Sequence, residues 1–316
     1  MNEDIRYLRQ ILITRQGLLI TADAFSSAVM QVFPLHTSEN ISAELPPLYK
    51  DTTNLQLKQL LASGDLPATC LTDDFLSEDL PDASIAYHRI SGFITATSRY
   101  YFSSKQLEQD LLDAEANDSI SCHFFHINSG GGEAWYIDRL SETLQSLKKP
   151  TLSLIERYGA SAAYYIGCQA DRLYAMTSQD SIGCIGTMVD FYDWDGYFEK
   201  LGVKRIVARA HQSDLKNKRY DDLVAGKPEE YITEYLDPLN DDFLATVRLF
   251  RPLLKEASDD TPALRGALFL TDQAVEAGLI DGKRTFQEAL AEAVRMAQQY
   301  DESQKAKKKA LNFFNS

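Results

Sequence analysis

Long apolar runs are missing from this sequence of 316 residues: none approaches the roughly 18 apolar residues that span a bilayer. The N-terminus reads Met-Asn-Glu-Asp, and Arg6 and Arg9 follow. It lacks the basic segment, apolar core and small-residue cleavage site of a secretory leader. We therefore expect no membrane partner and a protein that stays in the cytoplasm.

Cysteine and positive charge are also scarce. The four cysteines, Cys70, Cys122, Cys168 and Cys184, form no C-x-x-C pair. This favours free, buried thiols in a reducing compartment over a metal site or disulfides. The formal net charge is −14. Such a protein repels nucleic acid backbones and anionic membranes, so we expect neither as a partner.

Strand and helix patterns alternate from about residue 85 onward, which predicts βαβ units with a parallel sheet and an α/β fold. The N-terminal part has helical spacing in residues 1–35 and then a proline-containing, acidic stretch. We divide the chain into a helical extension and linker (1–80), a main domain (81–300) and a mobile basic tail (301–316). The predicted strands are residues 120–127, 151–155, 172–175, 185–191 and 203–208, and the predicted helices include residues 133–147, 161–169, 193–201 and 228–254, the last with a break near Pro238.

Three consecutive glycines, residues 130–132, follow a predicted strand and precede a predicted helix. Glycine lets the backbone approach a ligand closely, and free N–H groups at a helix start favour negative charge. The site could bind phosphate or stabilise an oxyanion. The phosphate signatures G-x-G-x-x-G and G-K-[ST] are absent. A plain strand-to-helix turn remains an alternative.

Ser161 is the second candidate. It lies between a predicted strand and a predicted helix, with small residues on both sides that leave room for a substrate carbonyl. The helix start would stabilise developing negative charge. The elbow motif G-x-S-x-G is absent, because position 163 is alanine. Taken by itself, Ser161 could also be an ordinary N-cap.

Six segments in order resemble motifs of signal peptide peptidase A and related peptidases. Residues 128–132 resemble N-S-P-G-G, and residues 160–166 resemble the nucleophile motif A-S-[GA]-[GA]-Y-[YW]-I. The other four are residues 171–175, 182–186, 197–203 and 271–281. The resemblance implies a Clp/crotonase-like superhelix and a serine peptidase that needs no cofactor. Gly130 and Cys184 stand where the family has proline and serine.

The general base follows from the same resemblance. A Ser-His-Asp triad needs a histidine after the nucleophile. The only one in the sequence is His211, and its neighbourhood, residues 210–214, does not match the branch that uses such a triad. His123 and His126 should point to opposite faces of a strand, so they cannot form one site. The resemblance instead implies a Ser-Lys dyad, with Lys216 as the base and Lys218 as the alternative. It implies an oxyanion hole from the N–H groups of Gly131 or Gly132 and of Ala162.

Partners and alternatives complete these expectations. The resemblance implies an extended polypeptide substrate and a homo-oligomer. The N-terminal extension and residues 216–218 resemble the phage and prophage branch, which implies capsid or scaffold protein as a partner and the host cytoplasm or procapsid as the location. The alternatives are an inactive pseudo-peptidase that serves as an assembly factor, a host-type peptidase that degrades signal peptides, and a crotonase acting on acyl-CoA.

Overall fold

A parallel sheet organises the chain in the computed structural model, which describes residues 18–20, 71–98, 101–191, 193 and 195–314. The strands are β1 (Leu18–Ile20), β2 (Leu71–Thr72), β3 (Ser84–Ser91), β4 (Ile94–Thr95), β5 (Phe102–Ser103), β6 (Ile120–Ser129), β7 (Gly131–Glu133), β8 (Thr151–Ala160), β9 (Arg172–Ala175), β10 (Ser181–Gly183), β11 (Leu268–Leu270) and β12 (Gly282–Lys283). The helices are α1 (Ser104–Ala116), α2 (Ile137–Ser146), α3 (Ala162–Gly167), α4 (Asp195–Lys200), α5 (Lys218–Val224), α6 (Glu229–Tyr231), α7 (Asp237–Phe250), α8 (Thr271–Glu276) and α9 (Phe286–Phe314).

The large sheet has the order β11-β10-β8-β6-β3-β2. Its strands β2, β3, β6, β8 and β10 run parallel, and β11 is antiparallel to β10. The first half of β8 also pairs with β9, and β9 pairs with β12. Helices connect these parallel strands, and apolar side chains of both layers form the core. The predicted α/β class with a parallel sheet is confirmed.

A small second sheet has the order β1-β7-β4-β5. Its strand β7 contains Gly131 and Gly132, so part of the predicted glycine turn is itself a strand. The predicted helices of residues 1–35 mostly lie outside the described residues. At Leu18–Ile20 the prediction is wrong, because this segment pairs as a strand with β7.

Two predicted strands are also wrong. Residues 185–191 form no strand, because Gly183, Cys184 and Gly186 have φ angles of 116°, 52° and 154° and turn the chain out of the sheet. The strand at this place is β10, which lies just before them. Residues 203–208 are exposed and have no regular secondary structure, and no described strand pairs with them.

The helical C-terminal half has an interruption near Pro238, as the sequence predicts, and a longer last helix than expected. A π-helical turn (Ile232–Leu236) joins α6 to α7 near the predicted break. Pro238 explains it, because its ring lacks an N–H and crowds the carbonyl group four residues earlier. The segment predicted as a mobile tail is helical up to Phe314, because α9 continues to that residue. Lys305 pairs with Asp301 at 2.9 Å and with Asp82 at 2.7 Å, which holds this part of the helix against the domain.

Candidate active site

Ser161 occupies a sharp turn between β8 and α3. Its φ and ψ angles are 55° and −123°, a conformation that costs an L-residue on the order of 1–3 kcal/mol. Its N–H donates to the carbonyl oxygen of Gly183 at 2.8 Å, and its own carbonyl accepts from the N–H of Tyr165 at 2.8 Å. The surrounding structure therefore fixes a strained backbone, as is typical of functional turns.

The hydroxyl of Ser161 is buried, and its Oγ has no hydrogen-bond partner among the described residues. A buried hydroxyl without a partner costs about 1–3 kcal/mol. The side chain is thus not an N-cap, since it accepts no hydrogen bond from α3. Its hydroxyl is therefore available to act as a nucleophile. It lies at the start of a helix whose first amides, including that of Ala162, lack intrahelical acceptors.

The glycine turn lies beside this serine. Ser129, at the end of β6, is paired with Gly159 of β8, and β7 contacts α3. A Cβ on Gly132 would lie 2.0 Å from the carbonyl oxygen of Ile94, so only glycine fits at this position. The structure therefore brings two sequence-predicted motifs together.

The predicted oxyanion donors are not equivalent. The N–H of Gly131 donates to Ser129 Oγ at 3.1 Å, and that hydroxyl donates to the carbonyl oxygen of Gly92 at 2.6 Å. The Gly131 amide is therefore occupied in this conformation. Gly132 is paired with Ile94 of β4 and with Leu19 of β1, whereas the amide of Ala162 lies at the start of α3, where no intrahelical acceptor is available.

The predicted bases lie elsewhere. Because Ser161 Oγ has no partner among the described side chains, neither Lys216 Nζ nor Lys218 Nζ is within hydrogen-bond distance of it. Lys216 is exposed, and its backbone carbonyl oxygen accepts a hydrogen bond from Arg209 Nε at 2.7 Å. Lys218 pairs with Asp222 and, at 3.1 Å, with Glu230. These hydrogen bonds, the one to Asp222 first, raise the pKa of Lys218, which is the wrong direction for a base.

The histidines do not replace them. His123 contacts His88 and Glu115, whereas His126 contacts Tyr87 and Glu156, so the prediction of opposite faces is confirmed. Burial lowers the pKa of both His123 and His126. His211 lies in an exposed 3-10 turn. His123 and His126 are therefore buried structural side chains.

The carboxylate of Asp180, which the sequence analysis did not identify, binds the backbone of β8 shortly before Ser161. The register between β6 and β8 shifts between Ile127 and Ser129, and Arg157 has a φ of 72°. Asp180 Oδ1 accepts from the N–H of Arg157 at 2.9 Å, and its Oδ2 accepts from the N–H of Met176 at 2.7 Å. Asp180 thus stabilises the irregularity at Arg157, where the direction of β8 changes before Ser161. No motif signalled this role, because it depends on chain segments that are distant in sequence.

Further support comes from behind α3. Tyr165 Oη donates to Asp242 Oδ2 at 2.8 Å, which connects α3 to α7. Arg251 and Asp281 form an ion pair at 3.1 Å near the other end of α3. Asp281 belongs to one of the six motifs, but nothing in the sequence pointed to Arg251 as its partner.

Two properties concern ligands and membranes. Within the described ranges, no group of three or more His, Cys, Asp or Glu side chains is arranged to hold a metal ion. The three cysteines in this part of the chain, Cys122, Cys168 and Cys184, are free thiols. The membrane-spanning potential is a separate matter. None of the described helices combines the length and the apolar character needed to cross a membrane.

Comparison with known proteins shows which protein family the sequence resembles. The sequence profile of peptidase family S49 matches residues 143–300, half of the chain. Protease 4 of Haemophilus influenzae is 28% identical over 193 residues, which are 60% of this chain and 30% of that protein. A provisionally named signal peptide peptidase SppA of Enterococcus faecium is 23% identical over 226 residues, 67% of this chain and 63% of that one. A provisionally named protease of Methanocaldococcus jannaschii is 26% identical over 208 residues, 63% of this chain and 62% of that one.

The chain therefore spans less than two thirds of the length of these curated relatives. Among solved structures, a membrane-bound stomatin-specific protease is similar, with a TM-score of 0.44 and 14% identity over 68% of this chain and 86% of that one. An enoyl-CoA hydratase/carnithine racemase from Magnetospirillum magneticum has a TM-score of 0.37 and 11% identity over 67% of this chain and 71% of that one.

Proposed function

This chain belongs to peptidase family S49, and we propose that it is a serine peptidase whose nucleophile is Ser161. One observation carries the proposal: a buried, unpartnered hydroxyl sits on a strained turn at a helix start, beside a glycine strand. Strain and an unsatisfied polar group both cost stability, so a purely structural turn would not be expected to keep them.

In the proposed reaction, Ser161 Oγ attacks the carbonyl carbon of the scissile peptide bond and loses its proton to a base. The oxyanion that forms accepts hydrogen bonds from the N–H groups of Ala162 and of Gly132 or Gly131. The base then protonates the leaving amine, and water hydrolyses the acyl-enzyme. No cofactor takes part in these steps.

We propose Lys216 as the base rather than Lys218. Lys218 is held by two carboxylates, which stabilise its charged form. A lysine acts as a base only when desolvation or neighbouring positive charge lowers its pKa. Lys216 is exposed, as are residues 203–210 before it. A dyad therefore requires that this segment move against Ser161 or be covered in a homo-oligomer, which we also propose.

The proposed substrate is an extended polypeptide that adds to the edge of β7, where backbone groups give affinity without sequence specificity. The biological substrate we propose is a capsid or scaffold protein of a phage. This last step is supported only by the resemblance of the N-terminal extension and of residues 216–218 to the phage branch.

The test compares wild type with Ser161→Ala, Lys216→Ala and Lys218→Ala, using an unfolded protein substrate and a fluorophosphonate probe. We expect Ser161→Ala and Lys216→Ala to lose both cleavage and labelling and Lys218→Ala to keep both. Equal loss in the two lysine variants would argue against the assignment of the base. Unchanged cleavage by Ser161→Ala would remove the proposed nucleophile.

A second candidate is an assembly factor without catalysis, favoured by the lack of any base in contact with Ser161 Oγ among the described residues. Adding the proposed capsid and scaffold proteins to the same assay distinguishes a peptidase from an assembly factor. Continued absence of cleavage and labelling, together with association with those proteins, favours the assembly factor.

A further inference from the structure

The two edges of β7 are occupied differently. On its inner edge, Gly132 is paired with Ile94 of β4 in parallel. The two backbones approach so closely that a Cβ added to Gly132 would lie 2.0 Å from the Ile94 carbonyl oxygen. This edge is closed to any other segment.

The outer edge is where an added polypeptide strand would bind, and the chain itself fills it. Leu18, Leu19 and Ile20 of β1 are paired antiparallel with Glu133, Gly132 and Gly131. An extended segment on a sheet edge is held by main-chain hydrogen bonds, which any polypeptide can supply. Leu18–Ile20 therefore uses the same interactions that a substrate would use.

The direction of β1 also matches that of a substrate. Ile20 lies opposite Gly131, the end of β7 that is nearer in sequence to Ser129, and Ser129 is paired with Gly159, two residues before Ser161. The strand thus runs from N- to C-terminus toward the nucleophile. A substrate segment bound in this direction would present its scissile carbonyl to Ser161 at its C-terminal end.

We propose that Leu18–Ile20 is an autoinhibitory strand that competes with polypeptide substrates for the outer edge of β7. The inference rests on the proposed peptidase function. Because the strand belongs to the same chain, it acts at an effective concentration on the order of millimolar. A substrate binds only after it has displaced the strand, so the full chain has low basal activity.

The test uses the full chain with the double substitution Leu18→Pro/Leu19→Pro. Neighbouring N–H groups of a strand point to opposite sides, so two successive prolines remove whichever one faces β7. The matched control is Leu18→Ala/Leu19→Ala, which keeps both N–H groups. Circular dichroism verifies that both variants are folded.

Two measurements follow. Amide hydrogen exchange of residues 131–133 reports strand pairing without any need for activity, and we expect faster exchange only in the proline variant. Cleavage of an unfolded protein and fluorophosphonate labelling report the site. We expect both rates to rise on the order of tenfold in the proline variant, as the loss of a few backbone hydrogen bonds implies, and to change little in the alanine control.

A synthetic peptide of residues 14–24 completes the design, with a scrambled peptide as its control. Added to the proline variant, the native peptide should restore inhibition. If wild type cleaves and the proline variant is no faster, or if exchange at residues 131–133 is unchanged, the autoinhibitory strand is disproved and the peptidase function stands. If no variant cleaves or labels, the peptidase function fails, and the inhibitory role fails with it even where exchange shows the strand in place.

Discussion

The guanidinium of Arg251 donates two hydrogen bonds to the carbonyl oxygen of Cys168, the residue that caps the helix beginning after Ser161. Its Nε and Nη2 lie 3.2 and 3.1 Å from that oxygen, and Nη1 lies 3.1 Å from Asp281 Oδ1. A helix leaves its last carbonyls without partners and favours a cation there. Asp281 also accepts from the N–H of Leu173, so one buried arginine connects α3 to β9.

We expect Arg251→Met to lower the free energy of unfolding by about 2–4 kcal/mol, because it leaves a buried carbonyl and a carboxylate without their donor. Urea denaturation measures the change. The control is Arg265→Met, whose ion pair with Asp260 is exposed and 3.6 Å long. That variant should lie within about 0.5 kcal/mol of wild type. Equal effects of the two substitutions would contradict the role of Arg251.

Gly132 is the position at which a single methyl group should damage the site most selectively. In Gly132→Ala the new Cβ would meet the backbone of Ile94, so β7 must shift. We expect Ser161 labelling by a fluorophosphonate to fall at least tenfold, about 1.4 kcal/mol in transition-state terms. Gly196→Ala is the control, because nothing lies within 4 Å of a Cβ at that position. Labelling of Gly132→Ala at the wild-type rate would show that β7 is not part of the site.

Tyr165 connects the nucleophile helix to α7. Its hydroxyl donates to Asp242 and accepts from Thr246 Oγ1 at 3.1 Å. We expect Tyr165→Phe to cost about 1–2 kcal/mol of stability. A double-mutant cycle with Asp242→Asn should give a coupling energy of about 1 kcal/mol, measured by urea denaturation. Strict additivity of the two substitutions would mean that the hydrogen bond contributes nothing.

The sequence was informative where a local pattern determines local structure. An apolar run followed by small residues predicted the turn at Ser161 correctly, whereas the predicted glycine turn is in part the strand β7. The parallel sheet followed from the alternation of strands and helices. Because the parallel strands β6 and β8 are neighbours in the sheet, the glycine segment that follows β6 lies beside the helix that follows β8.

What failed depends on contacts between distant residues. The lysine-rich segment after residue 300 has the composition of a solvated tail. In the structure, however, Lys305 forms an ion pair with Asp82, which is 223 positions away in the sequence. Residues 203–208 have strand propensity, yet a strand also needs a neighbour with free backbone groups. Leu18–Ile20 became a strand because β7 offers such an edge. None of these partners is visible in a local pattern.

His88 should make the stability of the fold depend on pH. It is buried between the rings of Phe75 and Phe125 and lies 3.0 Å from His123 Nδ1. Burial holds the pKa of His88 well below its usual value of 6.5. The folded protein therefore keeps His88 neutral, whereas the unfolded chain binds a proton as the pH falls below that value. Its contribution to stability is complete above pH 6.5 and decreases as the pH falls toward the folded pKa.

We test this with His88→Gln, which keeps a polar group near His123 but cannot titrate. Between about pH 7.5 and pH 5.5 the wild type should lose roughly 1.4 kcal/mol more unfolding free energy than the variant, because one unit of pKa difference has this value. Urea denaturation at both pH values measures the difference. His211→Gln, at an exposed histidine, should follow the wild type. If His88→Gln also loses stability as steeply as the wild type, then His88 takes up its proton in the folded state, and another group causes the acid sensitivity.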